Sequence, residues 1–183
     1  MIKVLGSFTG IRIGVATSKA FSDSLDIPII GVNSLEALAY NVNSNGIICS
    51  ILNAKNNNCY YALYKLENNI YTQLINPQAC SLENMIETLL QKNNSITTFV
   101  GDGVCEFLDI LKKVFPFANF SQKNELDSYN LALAGIYKFK NNINEDILPM
   151  YLRKPQAQRQ LEEKLKEQER TLINLYYLNI IKI

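Results

Sequence analysis

The sequence predicts an α/β protein built on one complete and one partial copy of the same unit. Three features lead there. Segments 47–53, 59–66 and 70–75 are strand-like and joined by the turn compositions Ala54-Lys55-Asn56-Asn57-Asn58 and Glu67-Asn68-Asn69, which marks an antiparallel meander. After it the pattern runs helix, strand, helix, strand, helix to about residue 140. That is the order of a ribonuclease H-like unit, in which parallel strands on βαβ crossovers extend the meander. Ahead of it, residues 1–45 read strand, helix, strand, helix, which is the second part of such a unit without its meander and first helix. Residues 1–45 are therefore expected to be the remainder of a first half and 46–155 a complete second half, whose unit 47–140 could fold alone. Residues 156–183 read as a charged helix and a tail.

The first helix carries the most unusual pattern. Ser7 is expected to cap it, its hydroxyl accepting a free backbone N–H of the first turn. At 100° per residue Gly10, Gly14, Thr17, Phe21 and Leu25 fall on one side. Ile13, Ala16 and Ala20 lie beside them, and Ile11 and Val15 continue round the other flank. Only Arg12, Lys19 and Asp23 share a polar stripe. A helix so apolar around its circumference is expected to be buried on more than one face. Gly10 and Gly14, four residues apart, let another backbone come close. Either they fit the helix against its own domain, or they form a contact with another protein.

The remaining elements follow in order. Asp26-Ile27-Pro28 ends the first helix, because proline disfavours helical geometry in the residue before it. Residues 29–32 read as a buried strand, and Ser34 as the cap of a second helix with Leu35, Leu38 and Ala39 on one face. Beyond the meander, a helix from Ser81 sets Leu82, Met85, Ile86, Leu89 and Leu90 at helical spacing. Residues 96–100 form a strand that Gly101-Asp102-Gly103 turns into a helix over 104–114. Residues 117–120 are a short strand, and Asp127 or Ser128 caps the last core helix. Pro149-Met150-Tyr151-Leu152-Arg153 is extended, with Arg153 expected to anchor to an acidic group or helix end. Residues 158–170 make a solvated charged helix, and the Leu-, Ile- and Tyr-rich tail 171–183 is expected to play no part in the core.

Composition narrows the function. The 183 residues are 48% hydrophobic, enough for a real core, and the formal net charge of +1 gives no global electrostatic case for nucleic acid. Cys49, Cys59, Cys80 and Cys105 show no CxxC spacing and read as buried, reduced thiols of a cytosolic protein. There is no histidine, which removes the commonest zinc ligand and the usual base at neutral pH. A peptidase reading finds neither a triad nor a zinc site. No signal peptide and no membrane-spanning run are visible.

Three features are weighed for chemistry. Gly101-Asp102-Gly103 opens a helix whose N-terminus favours an anion, so the turn is a candidate for phosphate. The Asp102 carboxylate would repel phosphate unless a cation bridged them, and a tight turn is the plainer reading. Lys55 sits in a hairpin turn and is expected to be solvated. Tyr60, Tyr61 and Tyr64 are compatible with base stacking. Tyr60 and Tyr64 share one strand face and Tyr61 the other, so packing is the better expectation.

The stretch GSFTGIRIGVATSKAFSDSLDIPIIGVNSLEALA, residues 6–39, resembles the signature of the TsaB (YeaZ) family. That family is the bacterial subunit of the machinery that makes N6-threonylcarbamoyladenosine at position 37 of transfer RNA. Further matches are Asn53-Ala54-Lys55 leading into Tyr60-Tyr61-Ala62-Leu63-Tyr64, then Gly101-Asp102-Gly103, then Pro149-Met150-Tyr151-Leu152-Arg153 followed by Ala157. The resemblance covers roughly residues 6–165. It implies an actin-like (ASKHA) fold of two ribonuclease H-like halves and a non-catalytic scaffold subunit without a cofactor of its own. It implies pairing through first-half helices with the paralogue TsaD, which carries the transfer chemistry, and association with the ATPase TsaE. Transfer RNA is met only through the complex, and self-pairing uses the same surface. On this chain the interface residues would be Gly10, Gly14, Thr17, Ser18 and Phe21, and the location cytoplasmic. The sequence departs from the family at its start: the opening strands and long helix are not seen, and Val4-Leu5-Gly6 stands where the family has Gly-Pro-Gly. Two rival readings are an actin-like nucleotide-binding ATPase and a non-functional fragment.

Overall fold

The computed structural model describes residues 2–3, 8–91, 96–143, 147–152, 164–165 and 167–170. Met1–Leu152 and Arg153–Ile183 are separate compact units. In the second unit, residues 164–165 and 167–170 are helical and their described side chains exposed. Ser7, Arg153, Ala157 and the tail 171–183 lie outside the described residues. In chain order the elements are β1 (Ile2–Lys3), α1 (Phe8–Leu25), β2 (Val32–Asn33), α2 (Ser34–Ala39), β3 (Gly46–Asn53), β4 (Asn58–Glu67), β5 (Ile70–Ser81), α3 (Leu82–Gln91), β6 (Ile96–Val100), α4 (Asp102–Val114), β7 (Asn119–Phe120) and α5 (Ser128–Lys140).

The meander forms as read. β3, β4 and β5 are antiparallel neighbours, and β6 and β7 extend the sheet in parallel on the far side of β3, giving the order β5-β4-β3-β6-β7. The asparagines make its turns: Asn56, Asn57, Asn68 and Asn69 all adopt left-handed backbone, which a short polar side chain tolerates. β5 runs further than expected, through Pro77 to Ser81. It is the edge strand, and its register against β4 shifts between Tyr61 and Leu63 and again between Leu63 and Tyr64. A proline at a bulge on an edge costs no ladder hydrogen bond.

Alternation along the strands gives the sheet two apolar faces. On one, Cys49, Ile51, Cys59, Tyr61, Leu63 and Phe99 are buried beneath Leu82, Met85 and Leu89 of α3 and Val104, Phe107 and Leu111 of α4. On the other, Ile48, Ala62, Tyr64, Leu66 and Val100 are buried beneath Leu35, Leu38 and Ala39 of α2, with Val42 beyond its end. Helix α2 belongs to the first half by chain order, yet it closes the second half's sheet. The expectation that residues 47–140 fold alone is corrected on this ground. Without α2 a whole sheet face is bare, at about 1.5–3 kcal/mol for each large side chain.

Asn33, not Ser34, caps α2. Its carboxamide oxygen accepts from Leu35 N at 2.7 Å and Glu36 N at 3.2 Å, and Ser34 is the first helical residue, buried. Asp127 caps α5 by accepting from Tyr129 N at 2.8 Å. α5 packs against α2, tied by Lys138 Nζ to Glu36 at 2.8 Å and by Asn130 Nδ2 donating to Asn41 Oδ1 at 2.7 Å.

In the first half β1 pairs in parallel with β2, Ile2 opposite Val32, so β1-α1-β2 is the expected βαβ crossover. The strand read at 29–32 is paired only at its end. Helix α1 departs from expectation. Among its described side chains only Ile11 and Val15 are buried, against Ile147 with Ile29 at the margin. Ile13, Phe21 and Leu25 are each about three-fifths exposed, at 61%, 61% and 62%. The apolar circumference therefore did not translate into burial on several faces, because one narrow apolar cluster covers one narrow stripe.

Candidate functional site

The apolar stripe of α1 stands in the open. Gly10, Gly14, Thr17 and Phe21 are exposed and Ser18 half-buried. The buried stripe, Ile11 and Val15, lies beside them and fastens the helix from behind. Arg12 adds a second tie, its Nε donating to Tyr151 Oη at 2.9 Å with the guanidinium 5.9 Å from the ring centre. At the far end Ser22 Oγ donates to Ile27 O at 2.6 Å, and Asp26 takes left-handed backbone to stop the helix.

A Cβ added at Gly14 would meet nothing within 4 Å. Gly14 is thus not needed to seat α1 on its own domain. What the stripe offers is a smooth, small-residue track bordered by Ile13, Phe21 and Leu25, suited to close packing by a second helix. Ile13 and Leu25 are members of that surface that the sequence expected to be buried.

The Gly101-Asp102-Gly103 turn is explained by the fold itself. Gly101 has φ +114°, and a Cβ there would collide with Ile51 O; a Cβ at Gly103 would come within 2.8 Å of Ile51 Cγ1. Both glycines let the start of α4 press onto β3. Asp102 Oδ1 accepts from Asn53 N at 2.8 Å, closing the end of β3, and Gly101 N donates to Asn124 Oδ1 at 2.9 Å. A cavity of about 700 Å³ opens beside the turn, and its charged lining is Asp102, Glu125 and Asp127 against Lys123. Three carboxylates to one ammonium is a poor field for phosphate.

Tyr61 and Tyr64 are core, 1% and 2% exposed on opposite faces of the sheet, and Tyr60 packs half-buried against the α2 side. All three rings are used in packing, which bears out the structural reading. Lys55 sits exposed in its turn with left-handed backbone, its N–H donating to Asn53 Oδ1 at 2.8 Å. A second apolar surface went unread in the sequence: Ala132, Gly135, Ile136 and Phe139 of α5 line a groove of about 450 Å³ with Ile30 and Val32. The sign was available, since α5 carries apolar residues on two faces.

A meander extended by parallel strands, preceded by a βαβ half whose last helix crosses onto the second sheet, places the chain in the actin-like class of α/β folds. The comparisons with known proteins agree. The family model described as "TsaD: tRNA N6-adenosine threonylcarbamoyltransferase" matches residues 6–169. The tRNA threonylcarbamoyladenosine biosynthesis protein TsaB of Bacillus subtilis is 33% identical over 158 residues, 84% of this chain and 68% of that protein. TsaB of Haemophilus influenzae is 27% identical over 161 residues, 81% of this chain and 66% of its own. The solved YeaZ from Pseudomonas aeruginosa superposes with a TM-score of 0.65 at 16% identity, covering 82% of this chain and 71% of that one. The chain belongs to the TsaB (YeaZ) family, and spans about two thirds of the length of these curated relatives. No helix among the described residues is long and apolar enough to cross a membrane.

Proposed function

We propose that the chain is a non-catalytic scaffold subunit of the complex that forms N6-threonylcarbamoyladenosine in transfer RNA, and that α1 is its docking face. The observation that carries this is the exposed Gly10-Gly14-Thr17-Phe21 stripe, which lies beside the buried Ile11 and Val15 and has open space over Gly14. The partner is TsaD, with TsaE joining the pair, and a second copy of the chain competes for the same stripe. Transfer RNA is reached through the complex, in the cytoplasm. A chain without histidine, whose glycine turn is consumed by packing on Ile51, supports a structural rather than a chemical role.

The test is Gly14→Leu, with purified TsaD as the probe. The unaltered chain co-elutes with TsaD in size exclusion. The variant does not, while its circular dichroism is kept and its melting temperature does not fall, because an added Cβ meets nothing within 4 Å and leucine favours a helix over glycine. Retained binding, or helix signal lost together with binding, overturns the docking face. ATP hydrolysis or threonylcarbamoyl transfer by the chain alone, after removal of contaminating ATPases, overturns the non-catalytic reading.

A further inference from the structure

Cys59 and Cys80 lie directly opposite each other on β4 and β5. Leu82 N donates to Asn57 O at 3.0 Å. Hydrogen-bonded and non-hydrogen-bonded pairs alternate along an antiparallel ladder, so the 59/80 pair, two steps on, is a hydrogen-bonded one. Such pairs hold their Cα atoms about 5.5 Å apart, inside the Cα range of disulfides, while their Cβ atoms stand wider than the roughly 3.8 Å of a relaxed bridge, so bond closure draws the edge strand β5 toward β4. Opposed residues point to the same face, and both side chains belong to the cluster beneath α3, Cys59 fully buried and Cys80 partly exposed at the margin. β5 is the edge strand, so among the described residues no further strand screens Cys80 from outside.

We propose that Cys59 and Cys80 form a thiol-oxidation site, at which a small-molecule disulfide converts the pair into a cross-strand disulfide with Cys80 as the attacking thiol. The Cys80 thiol is held below its usual value, first by hydrogen bonding with Cys59 and then by a backbone interaction at Met85, working against its burial. A larger thiolate fraction at neutral pH favours attack. Cys49 is fully buried, with its thiol pushed up by that burial. Cys105, expected to be buried, is exposed on α4, with Asn124 Nδ2 donating to its sulfur at 3.8 Å.

In the first step the Cys80 thiolate attacks one sulfur of the small disulfide, forming a mixed disulfide and expelling one thiolate. In the second, Cys59 gives up its proton and attacks Cys80 Sγ, expelling the second thiolate. The protein loses two hydrogens, and the small disulfide leaves as two thiols. In doing so Cys59 Sγ gives up its contact with Met85 Sδ at 3.6 Å.

The experiment takes the full chain, reduced and desalted, with oxidised glutathione as the probe at neutral pH, followed by alkylation, intact mass and peptide mapping. The expected product has lost two hydrogens from the pair, shows one cross-linked peptide joining β4 to β5, and reverts with dithiothreitol. Glutathione stays attached only at Cys105, and Cys105→Ser removes that adduct. Cys59→Ala leaves a lasting glutathione adduct on Cys80. A map of the unaltered chain showing Cys80 unreacted, joined to Cys49, or holding glutathione that never resolves overturns the proposal, whether or not the variants fold.

Discussion

Lys138 of α5 and Glu36 of α2 meet at 2.8 Å with only 7% and 15% of their side chains exposed, and Lys138 also donates to Gly31 O at 3.3 Å. One ion pair thus fastens the last helix of each half to the other and to the chain ahead of β2. Removing one partner of such a pair strands the other charge away from water, at about 3–5 kcal/mol. Lys138→Met is expected to lose that much in urea denaturation, and the double variant with Glu36→Leu to regain most of it. Equal losses in the single and double variants would show that the methylene packing of Lys138, not its charge, holds the crossing.

Two glycines are expected to respond with opposite sign. Gly101→Ala forces a side chain onto left-handed backbone and into Ile51 O, costing about 1–3 kcal/mol from strain and overpacking. Gly14→Ala sits in an open helix and is expected to gain about 0.4–1 kcal/mol. Thermal melts of the two variants side by side read the contrast.

Sequence pattern captured what depends on neighbours in the chain and missed what depends on neighbours in space. The meander, β6, α3 and α4 were legible because strand alternation and helical spacing are local. Asn33 and Ser34 are both good caps in adjacent positions, and only the reach of the longer carboxamide to two N–H groups decides between them. The end of β5 was unreadable because a proline normally argues against a strand, and its tolerance here depends on an edge position and a bulge. The bulges also set the chemistry. An unbulged hairpin closed at Glu67 and Ile70 would put Gln78 opposite Cys59, and the thiol pair would not exist. For α1, composition stated that the surface is apolar but not whether anything in the chain covers it.

Glu83 gives a pH-dependent handle on α3. Its carboxyl is held below its usual value, first by its own backbone N–H at the start of the helix and then by the Ser81 hydroxyl. A group with a depressed folded-state pKa binds fewer protons folded than unfolded, so its stabilisation is present above the ordinary value of 4.5 and disappears as pH falls through the folded-state value. Glu83→Gln is expected to lower the urea midpoint slightly near neutral pH, with the difference from the unaltered chain shrinking below pH 4.5. A difference that persists in acid would assign the effect to helix packing.

Hydrogen exchange should divide the first unit unevenly. β3, β4 and β6, covered on both faces, are expected to exchange slowest, and α2 with them. α1, fastened by two buried side chains, is expected to exchange fast at low concentration and more slowly as concentration rises, if copies of the chain cover its stripe. Strong protection of α1 that is independent of concentration would mean the stripe is already covered within one chain.

The crossing of α2 onto the second sheet governs how this chain can be cut. A fragment starting at the meander would carry every strand of the sheet and still be an aggregation hazard, because Ile48, Ala62, Tyr64, Leu66 and Val100 would form one continuous greasy plate. The smallest excisable piece therefore begins before Asn33, at the cap of α2. The seam between the halves runs through a helix's allegiance rather than through a linker. Grafting, fusion or split-protein schemes that respect chain order would part a sheet from its own lid.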